Sequence, residues 1–181
     1  MGIRQWVIAL CLVLMPGCTG VPEGVTVVDD FDLNRYLGTW YEIARLDHSF
    51  ERGLSRVSAV YTARDDGGVD VVNRGFDEDS GEWKEVKGKG YFVEGPRTGR
   101  LKISFFGPFY GAYNIIRLDR DRYAYSMVCG ADRSTLWILS RTRTLDRKIL
   151  RDLMQYAKDL RFDTEELIFV DQGLPAARES G

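Results

Sequence analysis

From about residue 31 to residue 169 the chain alternates short apolar stretches with polar turn clusters. Eight stretches, at 39–46, 55–63, 69–76, 83–93, 99–105, 112–118, 122–129 and 135–141, are rich in β-branched and aromatic residues, which suit a pleated sheet. Turn signals such as Asp65-Asp66-Gly67-Gly68 and Asp119-Arg120-Asp121 separate them. Short connections between eight strands predict an all-β, antiparallel up-and-down sheet, and closing it into a barrel removes its exposed edges. One segment has a different period. Ile149, Leu150, Leu153, Met154, Ala157 and Leu160 recur at helical spacing after Thr144, which predicts a C-terminal helix capped by Thr144 and packed outside the sheet. Residues 167–170 offer a short last strand, and 173–181 read as a polar tail.

The N-terminal residues follow another plan. Arg4 precedes an unbroken apolar run, Trp6 to Met15, which is too short to span a bilayer of ~30 Å as a helix. A basic start, a short apolar core and then small residues make a secretory signal peptide, here 1–17. The sequence Leu14-Met15-Pro16-Gly17-Cys18 resembles the bacterial lipobox, with Met15 where Leu is usual. That resemblance implies cleavage before Cys18, acylation of its thiol and membrane attachment through it. Thr19 in place of an Asp after the cysteine favours the outer membrane. Residues 18–30 then form a tether, and 31–172 a single domain with no linker inside it.

Composition narrows the function. The 181 residues are 44% hydrophobic and 29% charged, too apolar for a disordered chain. A net charge of -2 gives no concentrated basic face for nucleic acid. With Cys11 removed and Cys18 acylated, Cys129 stands alone and no internal disulfide forms. Catalytic signatures are also lacking: there is no Gly-x-Ser-x-Gly elbow, no metal-spaced His/Cys cluster and no phosphate-cradling loop. The single histidine, His48, reads as an exposed loop residue, and Cys129 as a small core residue. The sequence therefore predicts no catalytic residue, no metal and no cofactor.

Two residues carry a family resemblance, and several segments extend it. Gly38-Thr39-Trp40 opens the first strand, and Arg141 ends the eighth, just before the helix. Together with Arg35-Tyr36-Leu37, Asn73-Arg74-Gly75, Phe105-Phe106-Gly107-Pro108-Phe109 and Tyr113-Asn114-Ile115-Ile116, they resemble the lipocalins. The likeness is to the bacterial lipoprotein subgroup related to apolipoprotein D. At the turn after the sixth strand Leu118-Asp119-Arg120 departs from the wider family's Thr-Asp-Tyr, keeping only the Asp. The resemblance implies an eight-stranded lipocalin barrel with Trp40 closing its floor, Gly38 beside it and Arg141 covering the indole.

Laying the strands on that pattern, with a period of two, puts Glu42 and Ala44 on Trp40's side. It gives a pocket of Ala59, Tyr61, Val71, Asn73, Val86, Gly88, Ile103, Phe105, Tyr113, Ile115, Ser126, Trp137 and Leu139. Gly88 and Gly90 are expected to leave room inside, and Phe106 and Phe109 to form an aromatic rim. The implied ligand is a fatty acid or lysophospholipid, stored or transported in the cell envelope by a barrel facing the periplasm. A tethered barrel with an aromatic rim is also compatible with a homodimer. The alternatives are a lipid-modifying enzyme and an envelope protein-interaction module on the same scaffold.

Overall fold

Each of the eight stretches forms a strand in the computed structural model, which describes residues 19–49 and 51–173. The expected signal peptide, Cys18 and all but Gly173 of the tail lie outside the described residues. The strands are β1 (Gly38–Leu46), β2 (Leu54–Ala63), β3 (Val69–Asp77) and β4 (Glu82–Phe92), then β5 (Arg100–Phe106), β6 (Phe109–Leu118), β7 (Tyr125–Cys129) and β8 (Leu136–Ser140). Every neighbouring pair is antiparallel, and β1 pairs with both β8 and β2, which closes the barrel. Preceding β1 is a one-turn helix, α1 (Leu33–Tyr36), capped by the Asp32 carboxylate on the Asn34 N–H at 2.9 Å. Four residues are too few for helical periodicity to register, so the pattern gave no sign of α1.

Alternation splits the apolar residues into two cores. Trp40, Tyr61, Val71, Ile103, Ile115 and Val128 pack inside the barrel. Ile43, Ala44, Met127, Leu136 and Ile138 face outward beneath the helix α2 (Arg147–Asp159), which contributes Leu153 and Ala157. The cap of α2 is Asp146, not Thr144: its carboxylate accepts from the N–H groups of Lys148 (2.8 Å) and Ile149 (3.1 Å). The Thr144 carbonyl instead accepts from the Thr142 hydroxyl at 2.7 Å, in the turn before the helix. β7 starts later than its apolar residues suggest. The Asp119 carboxylate takes the N–H groups of Asp121, Arg122 and Ala124, folding that stretch into a turn.

β1 departs from strict alternation. A bulge between Glu42 and Ala44 shifts its register against β8. Ala44 therefore lies in the outer core rather than on Trp40's side, while the Arg45 side chain turns toward Glu42. At the same point β1 leaves β2. Its first half pairs with β2 as far as Tyr41, and its last three residues pair with β9 (Leu167–Phe169). Gln172 bridges the fork, its Nε2 donating to the carbonyls of Glu42 (2.7 Å) and Val57 (3.0 Å). Replacing Gln172 with Ala would strand two buried acceptors, each costing about 1–3 kcal/mol. Q172A is expected to lose about 2–4 kcal/mol in denaturant unfolding, and a loss under 1 kcal/mol would mean water takes over both bonds.

Candidate functional site

The barrel floor is built at the junction of α1, β1 and the end of β8. Gly38 has φ of +91°, which lets the chain turn from α1 into β1 where an L side chain would be strained. The Trp40 indole N–H donates to the Tyr36 carbonyl at 2.8 Å, and the Arg141 guanidinium carbon lies 3.9 Å from its ring centroid. Arg141 also donates to the carbonyls of Arg35, Thr39 and Tyr123, so the same cation ties three segments together. Burial pulls the Arg141 pKa below its ordinary value, with Tyr36 and Tyr113 opposing.

Above the floor lies a cavity of ≈ 570 Å³, within the range of small-molecule sites. Of the residues expected to form a pocket, Ala59, Asn73, Ile103, Phe105, Tyr113, Trp137 and Leu139 line it, as do the rim residues Phe106 and Phe109. Tyr61, Val71 and Ile115 pack lower down in the inner core. Ser126 is buried against the Tyr36 hydroxyl at 3.4 Å. Val86 lines an adjoining hollow of ≈ 440 Å³, which shares Ser49, Glu51, Val57, Asn73 and Phe106 with the cavity and adds Arg52, Arg74 and Lys84.

Gly88 and Gly90 do not leave room. A Cβ on Gly88 would come within 2.7 Å of the Phe105 ring, and one on Gly90 within 2.8 Å of Val69 Cγ2. Neighbouring side chains lie over both glycines and take the space. The rim is as exposed as its composition suggests, Phe106 at 68% and Phe109 at 77%.

The cavity wall carries a polar cluster that strand alternation could only half reveal. Glu42, on β1, follows from the position of Trp40. His48 and Glu51 come from the loop after β1 and carry no pattern of their own. Arg45 Nη1 meets Glu42 Oε1 at 2.6 Å, and Arg45 Nη2 donates to the carbonyls of Glu51 (2.8 Å) and Leu54 (3.2 Å). Glu51 Oε2 accepts from the Trp137 indole N–H at 3.0 Å and lies 3.2 Å from His48 Nε2. His48 stands edge-on to the Trp137 ring at 5.1 Å, its side chain only 12% exposed, so it is no free surface residue.

The two carboxyls respond oppositely to this setting. Burial, and then the charge of Glu51, push Glu42 well above its ordinary value despite Arg45. Burial also works against charge on Glu51, but hydrogen bonds from His48 and Trp137 outweigh it and hold this carboxyl below its ordinary value. Of the two carboxyls Glu42 therefore holds a proton the more readily, and Glu51 keeps its negative charge the more readily. Above Glu42's ordinary value of 4.5 the unfolded chain releases this proton while the folded chain keeps it. Glu42's contribution is therefore full below pH 4.5 and is lost as pH rises toward its folded pKa. In thermal melts from pH 5 to pH 8, Glu42→Gln is expected to flatten the decline seen in the parent. Parallel curves would show that Glu42 is already ionised in the fold.

Cys129 is buried on the outward face of β7, and burial pushes its thiol up to about 12, so it stays protonated at neutral pH. Among the described residues no group of three or more His, Cys, Asp or Glu side chains is placed to hold a metal ion.

A closed antiparallel barrel, floored by Trp40 under Arg141 and hollow above, defines a lipocalin barrel. The chain matches the family model of the lipocalin-like domain over residues 31–172 and belongs to that family. It is 55% identical over 170 residues to the outer membrane lipoprotein Blc of Vibrio cholerae, covering 94% of this chain and 99% of that one. To Blc of Escherichia coli K12 it is 54% identical over 151 residues, covering 83% and 85%. Among solved structures, insecticyanin of the tobacco hornworm superposes with a TM-score of 0.67 at 22% identity, over 84% of this chain and 86% of that one. Apolipoprotein D of Cavia porcellus is more distant, 30% identical over 152 residues, covering 81% and 79%.

Proposed function

We propose that this protein is an outer-membrane lipoprotein, acylated at Cys18, whose barrel holds one lipid in the cell envelope for storage or transport. The observation that carries the reading is the cavity itself: ≈ 570 Å³, walled by Ile103, Phe105, Tyr113, Trp137 and Leu139. An acyl chain suits such a wall because each buried methylene contributes ~0.8 kcal/mol without any polar contact. The names of the relatives that share more than half its residues support the membrane and the anchor.

Of the two ligands the sequence suggests, the lysophospholipid fits better. A fatty acid would bring its carboxylate up to the buried negative charge of Glu51. A phospholipid head can instead extend into the adjoining hollow, whose lining mixes the cations Arg52, Arg74 and Lys84 with the acids Glu51, Asp77 and Glu85 and so suits a head that carries both charges. Binding rather than catalysis is the reading that the site favours. Cys129 faces away from the cavity as a neutral thiol, and His48 is engaged with Glu51 and Trp137.

Native mass spectrometry of the purified protein, titrated with a lysophospholipid and a fatty acid of equal chain length, tests this. One-to-one binding with the lysophospholipid held more tightly is the expected result. Equal affinities would remove the head-group argument, and no binding of either would sink the carrier reading.

A further inference from the structure

Above Tyr41 and Ser58 the barrel wall between β1 and β2 is not a ladder. The two strands pair from Gly38 to Tyr41 and then part, and residues 167–173 run as a strap in the gap. Toward β1 the strap is secure. Leu167, Ile168 and Phe169 pair with Leu46, Arg45 and Ala44, and the Val170 N–H donates to the Ile43 carbonyl at 3.0 Å. Leu167 also packs in the outer core under α2. Toward β2 the joins are isolated. The Arg56 N–H donates to the Asp171 carbonyl at 2.6 Å, Gln172 Nε2 to the Val57 carbonyl at 3.0 Å, and Arg45 Nη2 to the Leu54 carbonyl at 3.2 Å. Two of these three donors are side chains.

β2 is irregular at the same height. Its pairing with β3 shifts between Ser55 and Ser58, and Arg56 has φ of +51°, a left-handed conformation that strains a non-glycine residue. Among the described residues it is the one non-glycine residue at positive φ inside a strand. Strain of this kind collects at clamps and switches. The Arg56 side chain lies along the seam, its guanidinium carbon 4.7 Å from the Phe76 ring centroid. Gly173 runs against it, so closely that an added Cβ would stand 2.9 Å from Arg56 Nε. Directly behind the seam is the cavity, with Glu42, Glu51, Val57 and Ser58 in its wall. Outside, Ile168 and Phe169 are 39% and 56% exposed and give the strap an apolar lip.

We propose that this seam is a side door: residues 54–57 of β2 swing away from the strap, and the lipid enters and leaves the cavity between them. The proposal rests on the lipid-binding reading above. The seam opens more readily than the rest of the wall because the bonds that cross it are few and polar, and water replaces each of them as it breaks. A continuous ladder has to give up many bonds at once. A slit along the wall also suits the ligand. The acyl chain slides sideways past Val57 while the charged head travels outside in water, so neither of its charges crosses the apolar interior. The strap stays with β1, held by its three paired residues and by Leu167 under α2. β2 is the part that moves, and Arg56, once free of Asp171, is released from its left-handed conformation.

The test locks the seam reversibly. Arg56→Cys and Asp171→Cys, whose backbones meet through their hydrogen bond, are joined by oxidation or by a short bis-maleimide, and the oxidised sample is reopened by reduction. The Cys129 thiol is buried and takes no part. Stopped-flow mixing of the purified protein with a lysophospholipid brominated on its chain reads exchange through quenching of Trp40 and Trp137 in the cavity wall. The locked protein is expected to bind and release this lipid roughly tenfold more slowly than the reduced one, at unchanged Kd, as for other gated sites. Gln172→Ala, which removes one join, is expected to exchange it faster than the parent, again at unchanged Kd. Equal rates in the locked and reduced forms would show that the lipid uses the mouth alone and would overturn the proposal. A weaker Kd with faster release on locking would make the seam part of the binding wall and overturn it as well. Absence of quenching in both forms sinks the carrier reading itself, and with it the door, and is told apart from equal rates by the titration end point.

Discussion

Arg45→Met is expected to cost about 3–5 kcal/mol, because it removes the buried donor to the Glu42 carboxyl and leaves that polar group unpaired. Arg45 and Glu42 are only 2% and 3% exposed. The variant also strands the carbonyls of Glu51 and Leu54, which Arg45 Nη2 holds in place. For a chain of this length that is roughly 10 °C or more in melting temperature. The companion variant decides the cause. Arg45→Met combined with Glu42→Met replaces both polar groups with apolar ones and should recover much of the loss. A double variant no more stable than the single one would show that Arg45 acts mainly by organising the 48–54 loop through the two carbonyls.

The second large effect is on ligand binding. Ala59 faces the cavity beside Trp40, with which it is paired across β1 and β2. Ala59→Trp would put an indole where the far end of the proposed acyl chain would lie. Displacing about three methylenes at ~0.8 kcal/mol each weakens binding roughly 60-fold. Stability should change little, since the added side chain fills space rather than crowding a packed core. Isothermal titration of parent and variant with the same lysophospholipid measures the ratio. An unchanged affinity would mean that the chain does not reach the floor.

Strand existence was legible because β-branched and aromatic stretches and turn chemistry agree along 31–169. Trp40 and Arg141 were legible as a pair because each sits at a strand end whose place in the order of elements is fixed. What the sequence hid has specific causes. Ala44 lies on the unexpected face because the bulge after Glu42 adds a residue to β1, and a period of two cannot show where a strand breaks step. Gly88 reads as empty space until Phe105, seventeen residues away, is seen lying over it. His48 and Glu51 belong to a loop whose path depends on Arg45 and Trp137, contacts that no local pattern encodes. Thr144 and Asp146 are both good capping residues two positions apart, and only the path of the turn chooses between them.

The forked first strand bears on how the molecule is made. Ala44 in β1 pairs with Phe169 in β9, so the upper edge of the first strand to leave the ribosome waits more than 120 residues for its partner. Contacts of that separation form late, after most of the chain entropy has been lost. Until then residues 43–46, of which Ile43, Ala44 and Leu46 are apolar, present an unpaired edge, which is open to pairing with another chain. The final dozen residues of the fold thus act as a latch, and a nascent barrel short of Gln172 remains an open sheet at its mouth.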